Sequence, residues 1–255
     1  DSTTTLALNA NGSNTVSVTS TDAAGNVSAA ASQTLTLDTT DATVSASTDK
    51  ADGSYTVGEE IDITLTFDES VTLSGSAGLN ITLEDGSSTT VATLNVTAAE
   101  LNGVSTVTKT YTVAAGDTAG DLTVSGVALG TSATLQDDAG NDADLSSLTA
   151  TVGTSDAIVI DTTAPTLSSA TANTAGTQVT LTFNEPLNST TAVAGDFAVS
   201  VGVTPLTVSA IAVSGSTVIL TLGTPANTGD AISVVYTAPS PNSATSNSAI
   251  QDTAG

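Results

Sequence analysis

Ile61, Ile63, Leu65 and Phe67 alternate with Asp62, Thr64 and Thr66. A period of two places one kind of side chain on each face of the chain, which a β-strand does and a helix does not. The same alternation returns at Val179, Leu181 and Phe183 between threonines, and at Val218, Leu220 and Leu222. Shorter versions stand at Val16 and Val18, at Leu79, Ile81 and Leu83, and at Ile232, Val234 and Tyr236. Turn residues break the pattern at intervals of about 8 to 12 residues, the rhythm of a β-sandwich. No stretch carries a sustained helical period, and Val, Ile and Thr dominate the alternating segments. A strand with one apolar face needs a second layer to cover it, so the predicted fold class is all-β, built from tandem sandwich modules.

Composition narrows what such modules can bind. The chain of 255 residues carries 26 acids against Lys50 and Lys109 alone, a formal charge of -24. Nothing here neutralises a phosphate backbone, which excludes nucleic acid as a partner. An anionic membrane surface is excluded on the same ground, and no apolar run reaches the ~18 residues needed to enter a bilayer. There is no Cys, His, Met or Trp, so disulfides and thiolate or imidazole metal sites are ruled out. Catalytic triads of the usual kinds need His or Cys and are ruled out too. Paired carboxylates could hydrolyse glycosides, but here they recur in the turns of each module, which points to structure and not to an enzyme.

The pattern divides the chain into three. Residues 1–40 read as the C-terminal part of a module, residues 41–162 as a complete one, and residues 163–255 as one lacking its last strand. The patterns begin and stop midway, so the chain reads as a segment of a longer protein. No signal peptide precedes Asp1, but such a segment would not carry one.

Three acidic elements recur in fixed order. An acid follows a phenylalanine after the second strand (Glu69, Glu185). An acid stands in an Ala-Gly turn after the sixth: Asp137 and Asp138 with Asn141 and Asp142, then Asp252, and Asp22 in the partial module. An Asp-Thr-Thr seam joins modules at Asp38 and Asp161. Successive strands of a sandwich alternate direction, so the turns after even-numbered strands lie at the end where the linker enters. Asp38 is therefore expected to face Glu69 and the loop from Asp137 to Asp142, and Asp161 to face Glu185 and Asp252. Asp22 would serve a further seam. Converging carboxylates repel unless a cation joins them. An all-oxygen donor set suits Ca2+, which accepts about six to eight ligands in irregular geometry. The bland alternative is that acids favour turns, and that reading is assigned to Asp49, Asp52, Asp117, Asp121 and Asp230. Lys109 shares the parity of the apolar residues around it, which predicts an inward charge guarding an edge strand or a bulge.

Four stretches carry a family resemblance: Tyr55 to Glu69 (YTVGEEIDITLTFDE), Tyr111 to Asp117 (YTVAAGD), Asp138 to Ala143 (DAGNDA) and Asp161 to Pro165 (DTTAP). They resemble bacterial immunoglobulin-like repeats of giant secreted adhesins. Residues 163–255 resemble a related repeat first named from a cyanobacterial cell-surface swimming protein, and residues 1–40 the tail of a further immunoglobulin-like repeat. The resemblance implies immunoglobulin-like sandwiches in an extended rod and a secreted, cell-surface location. It also implies a calcium-stiffened stalk whose partners are its neighbouring modules. The first seam departs from the family, with Asp41-Ala42 where Ala-Pro is usual, and is expected to be less rigid. The rival readings are a self-assembling filament or surface layer in which the incomplete ends exchange strands between copies, and a glycan-binding module. A host or biofilm surface is the remaining partner expected of an adhesin.

Overall fold

The computed structural model describes residues 11–150, 152, 157–189, 192–238, 249–252 and 254. The first ten residues of the expected partial module lie outside the described residues. What is described is strand and turn, with a 3-10 turn at Ala194–Asp196 and no α-helix among the described residues. In chain order the strands begin with β1 (Gly12–Val18), β2 (Ala31–Leu37), β3 (Thr43–Thr48), β4 (Gly53–Tyr55), β5 (Glu60–Ser74) and β6 (Leu79–Glu84). They continue with β7 (Thr90–Val96), β8 (Asn102–Thr112), β9 (Thr123–Leu129), β10 (Thr134–Asp137), β11 (Asp144–Ala150) and β12 (Ile158–Ile160). The last are β13 (Leu167–Ala172), β14 (Gln178–Phe183), β15 (Phe197–Val201), β16 (Thr204–Leu206), β17 (Val208–Ser214), β18 (Thr217–Leu222) and β19 (Ile232–Tyr236). Several separate sheets form and none closes into a barrel, as expected of the all-β sandwich class.

The chain forms two compact units. One comprises Asp1–Lys50, Ile61–Tyr111 and Leu122–Asp156, and the other Ala51–Glu60, Thr112–Asp121 and Ala157–Gly255. In the first unit β1 and β2 form a hairpin, β10-β5-β3-β11 form one sheet with β8 also on β5, and β7-β6-β9 form another. Between the larger sheets lies a core of Ile61, Ile63, Leu65, Leu79, Ile81 and Leu83, each fully buried. The alternation that announced β5 is the alternation that fills this core.

In the second unit β4 pairs with β12, β13-β14-β18-β17 form a four-stranded sheet, and β16-β15-β19 form a three-stranded one. Its core joins Val179 and Leu181 to Phe197, Val199, Val218 and Leu220. The two units repeat a plan. Val44 stands opposite Phe67 and Ala46 opposite Leu65; Leu167 stands opposite Phe183 and Ala170 opposite Leu181.

Asp68-Glu69 was expected to end its strand, and it does not. β5 runs on to Ser74, and its second half pairs with β10. The cause is local: Asp68 accepts hydrogen bonds from the Thr43 backbone N–H (2.7 Å) and hydroxyl (2.8 Å), which carries the ladder past the acid. Glu69 thus occupies an inward-facing position of a continuous strand, between buried Phe67 and Val71. Lys109 sits half-buried at inward parity between Val107 and Tyr111, its ammonium 2.8 Å from Glu100. That bond and two from Thr97 hold the Glu100 carboxyl down at about 2.

Candidate metal centre

The loop after β10 is organised by one side chain. Asp137 Oδ1 accepts the backbone N–H groups of Ala139 (2.7 Å), Gly140 (2.7 Å) and Asn141 (2.9 Å). Its Oδ2 accepts Asn141 Nδ2 at 2.8 Å. Gly140 has φ of 95°, a conformation that only glycine adopts without strain. The same device stands between β1 and β2. There Asp22 Oδ1 accepts Ala24 and Asn26 N–H groups, both at 2.9 Å, and Oδ2 accepts Asn26 Nδ2 at 2.8 Å. It begins again at Asp252, whose Oδ1 accepts the Ala254 N–H at 2.7 Å. The organising acid is therefore the one two residues before the alanine, Asp137 and not Asp138.

The seams are built alike as well. Asp38 Oδ1 accepts the N–H of Thr40 (3.1 Å), and Asp161 Oδ1 that of Thr163 (3.0 Å). Each acid folds the linker into a small turn that leaves carboxylate lone pairs unused.

These elements bring the acids together. Asp38, Glu69 and Asp137 form one group, and Asp161, Glu185 and Asp252 another; in each, one carboxylate oxygen per residue lies within 4.8 Å of the others. The first group belongs wholly to the first unit and the second wholly to the second. Asp137 and Asp252 are buried, and the other four are half-buried. Asn141 Nδ2 also reaches the carbonyls of Asp38 and Thr40, each at 3.3 Å, and so ties the loop to the linker. Asp138 and Asp142 are exposed and outside the group, with Asp142 accepting Gln136 Nε2 at 3.0 Å. Asp22 is exposed and likewise outside.

Electrostatics mark the glutamates as the strained members. Burial, followed by the charges of Asp137 and Asp38, pushes the Glu69 carboxyl above its ordinary value. Burial and then the charges of Asp161 and Asp252 do the same to Glu185. Glu185 Oε1 is buried with no hydrogen-bond partner. Asp137 moves the other way, because the Asn141 side chain and the loop N–H groups favour its ionised form. Both lysines are engaged away from these groups, Lys50 with Asp49 at 3.2 Å and Lys109 with Glu100. The donor set offers carboxylate oxygens only, with no side-chain cation among them, which fits a hard divalent ion.

Two residues that position the site went unassigned in the sequence. Asn184 Oδ1 accepts the Thr166 N–H at 2.6 Å, as Asp68 accepts that of Thr43, so the residue before each glutamate anchors the entering strand. The signal was there, since an Asp or Asn precedes the Glu at both places. Of the acids read as turn residues, Asp117 and Asp230 accept the N–H three residues before them, whereas Asp49 and Asp52 reach across to the N–H groups of Asp62 and Ala157, and Asp121 Oδ1 is buried with no hydrogen-bond partner. All six aromatic side chains are buried or half-buried.

No curated protein matches the chain. A family model, SWM_repeat, described as "Putative flagellar system-associated repeat", matches residues 160–241. That span begins at the second seam and contains Asp161, Glu185 and every strand from β13 to β19. Repetition of the acidic loop, the seam and the strand order, together with an all-β fold, is the design of a structural repeat. Over residues 160–241 the chain is similar to this flagellar system-associated repeat.

Proposed function

We propose that this chain is a load-bearing repeat segment of a bacterial extracellular surface protein, the stalk of an adhesin. In this reading each acidic seam holds a calcium ion. The observation that supports it is the twofold occurrence of one geometry. A linker aspartate, an inward glutamate and a buried loop aspartate meet where the chain enters a sandwich. An ion shared by the three ties the linker to the module it enters and removes the freedom of the intervening residues. Asp38, Glu69 and Asp137 supply the first site, with Asn141 holding the loop against the linker. Asp161, Glu185 and Asp252 supply the second. Extracellular modules of this kind bind with dissociation constants on the order of 0.1 to 1 mM.

Single-molecule pulling on the full chain tests the load-bearing role. Unfolding forces are expected to rise when calcium replaces chelator, and to lose that rise when Glu69 and Glu185 are both changed to Gln. Identical force distributions with calcium and with chelator would contradict the proposal.

A further inference from the structure

The acid that the second seam contributes is fixed by residues far from it in the chain. The second unit takes in two outlying stretches, Ala51–Glu60 and Thr112–Asp121, besides Ala157–Gly255. Both stretches meet the seam. β12 lies parallel to β4, with Ile160 opposite Tyr55. Ile160 exchanges two main-chain hydrogen bonds with Ala119, at 2.8 and 3.0 Å, and Asp161 donates its N–H to the Tyr55 carbonyl at 3.0 Å. Thr162 continues the series through its side chain. Its hydroxyl donates to the Asp117 carbonyl at 2.9 Å and accepts the Gly116 N–H at 3.2 Å. The turn that receives it is itself braced, because Asp117 Oδ2 accepts the Ala114 N–H at 2.9 Å and the Asp117 N–H reaches the Ala114 carbonyl at 3.1 Å.

The backbone around Asp161 is thus held before, at and after the residue. Little freedom remains to its carboxylate beyond the side-chain torsions, and Oδ1 is further engaged by the Thr163 N–H. That carboxylate still places an oxygen within 4.8 Å of one from Glu185 and one from Asp252. The bonds of Ile160 and of the Asp161 N–H run from main chain to main chain, so most residue types could make them. The pair made by Thr162 needs a hydroxyl, which both donates and accepts. We infer that Thr162 is a positioning residue of the second metal centre: its hydroxyl holds Asp161 where an ion needs it and ties that ion to the turn at 114–117.

The assignment rests on the calcium reading of Asp161, Glu185 and Asp252 and adds two consequences to it. A ligand fixed in advance loses less freedom when the ion binds, so the hydroxyl raises affinity without touching the metal. The constraint also travels the other way. An ion that immobilises Asp161 immobilises Thr162 beside it, and through Thr162 a turn whose own acid, Asp117, lies outside the group. Calcium should therefore stiffen a stretch of chain that supplies no ligand.

Calorimetric titration of the chelator-stripped full chain with calcium is the test. Thr162→Val keeps the shape and removes the hydroxyl, and should weaken binding at the second centre by about tenfold. Binding at the first centre should be unchanged. Thr162→Ser keeps the hydroxyl and should keep the affinity. In the parent chain calcium should also slow exchange of the Gly116 amide, and in Thr162→Val that slowing should vanish. Equal affinity in Thr162→Val and the parent chain would overturn the assignment and leave the calcium reading standing. Gly116 exchange indifferent to calcium in the parent chain would overturn it without recourse to any variant. Equal losses in Thr162→Val and Thr162→Ser would overturn it too, because packing and not the hydroxyl would then set the position. A parent chain with no calcium heat at the second centre would overturn the calcium reading there and the assignment with it.

Discussion

Glu69 and Glu185 are placed where an isolated carboxylate is least comfortable, half-buried and facing two other acids each. Their pKa values are raised in the folded protein, so folding takes up protons in that range. In metal-free protein stability is thus expected to rise as pH falls from neutral toward the ordinary glutamate value of 4.5. Asp22, Asp68 and Asp137 are depressed by their hydrogen bonds, and their stabilising contribution is lost as pH falls below the ordinary aspartate value of 3.8. Chemical denaturation in chelator should therefore give a maximum on the acid side of neutrality. Saturating calcium should move that maximum toward neutral pH, because the ion requires the ionised glutamates. Glu69→Gln is expected to raise the metal-free melting temperature and to reduce the calcium-induced increase. A fall in both would show that the Glu69 charge serves the fold and not an ion.

Strands were legible where their alternation fills a core, and illegible where it does not. β18 and the first half of β5 bury every second side chain, β14 buries Val179 and Leu181, and all three spell this out in Ile, Leu, Val and Phe. β13 buries nothing among the described residues, and its Leu-Ser-Ser-Ala-Thr-Ala gives no period to find. β11 was missed for a related reason, since Asp144 and two serines interrupt its leucines. β4 spans only Gly53–Tyr55, too short to show a period. The three acidic elements could be read because they recur, and strand direction located their meeting place. The choice of Asp137 over Asp138 could not be read, because it depends on which carboxylate reaches three loop N–H groups. Two substitutions test the elements themselves. Leu65→Ala removes a fully buried side chain from the middle of β5 and should cost about 2 to 5 kcal/mol in urea denaturation. Gly176 has φ of 64°, and a Cβ there would stand 2.0 Å from the Ala226 carbonyl oxygen. Gly176→Ala should accordingly destabilise the second unit by about 2 kcal/mol or more, with little effect on the first.

At the scale of the whole molecule, a charge of -24 opposes compaction unless cations gather on it. Monovalent salt screens that repulsion everywhere, whereas an ion held by three carboxylates acts at two places. Calcium at a hundred times its dissociation constant should stabilise each site's unit by about 2.7 kcal/mol. Hydrogen exchange should show the protection concentrated at the linkers, residues 38–43 and 161–167, and an equal ionic strength of sodium chloride should not reproduce it. Calorimetric titration of chelator-stripped protein with calcium addresses the convergence of the acids most directly. We predict saturable binding at both groupings, with one lost in Glu69→Gln, the other in Glu185→Gln, and both in the double variant. Heats that are absent, or that persist unchanged in the double variant, would show that these carboxylates meet without holding an ion.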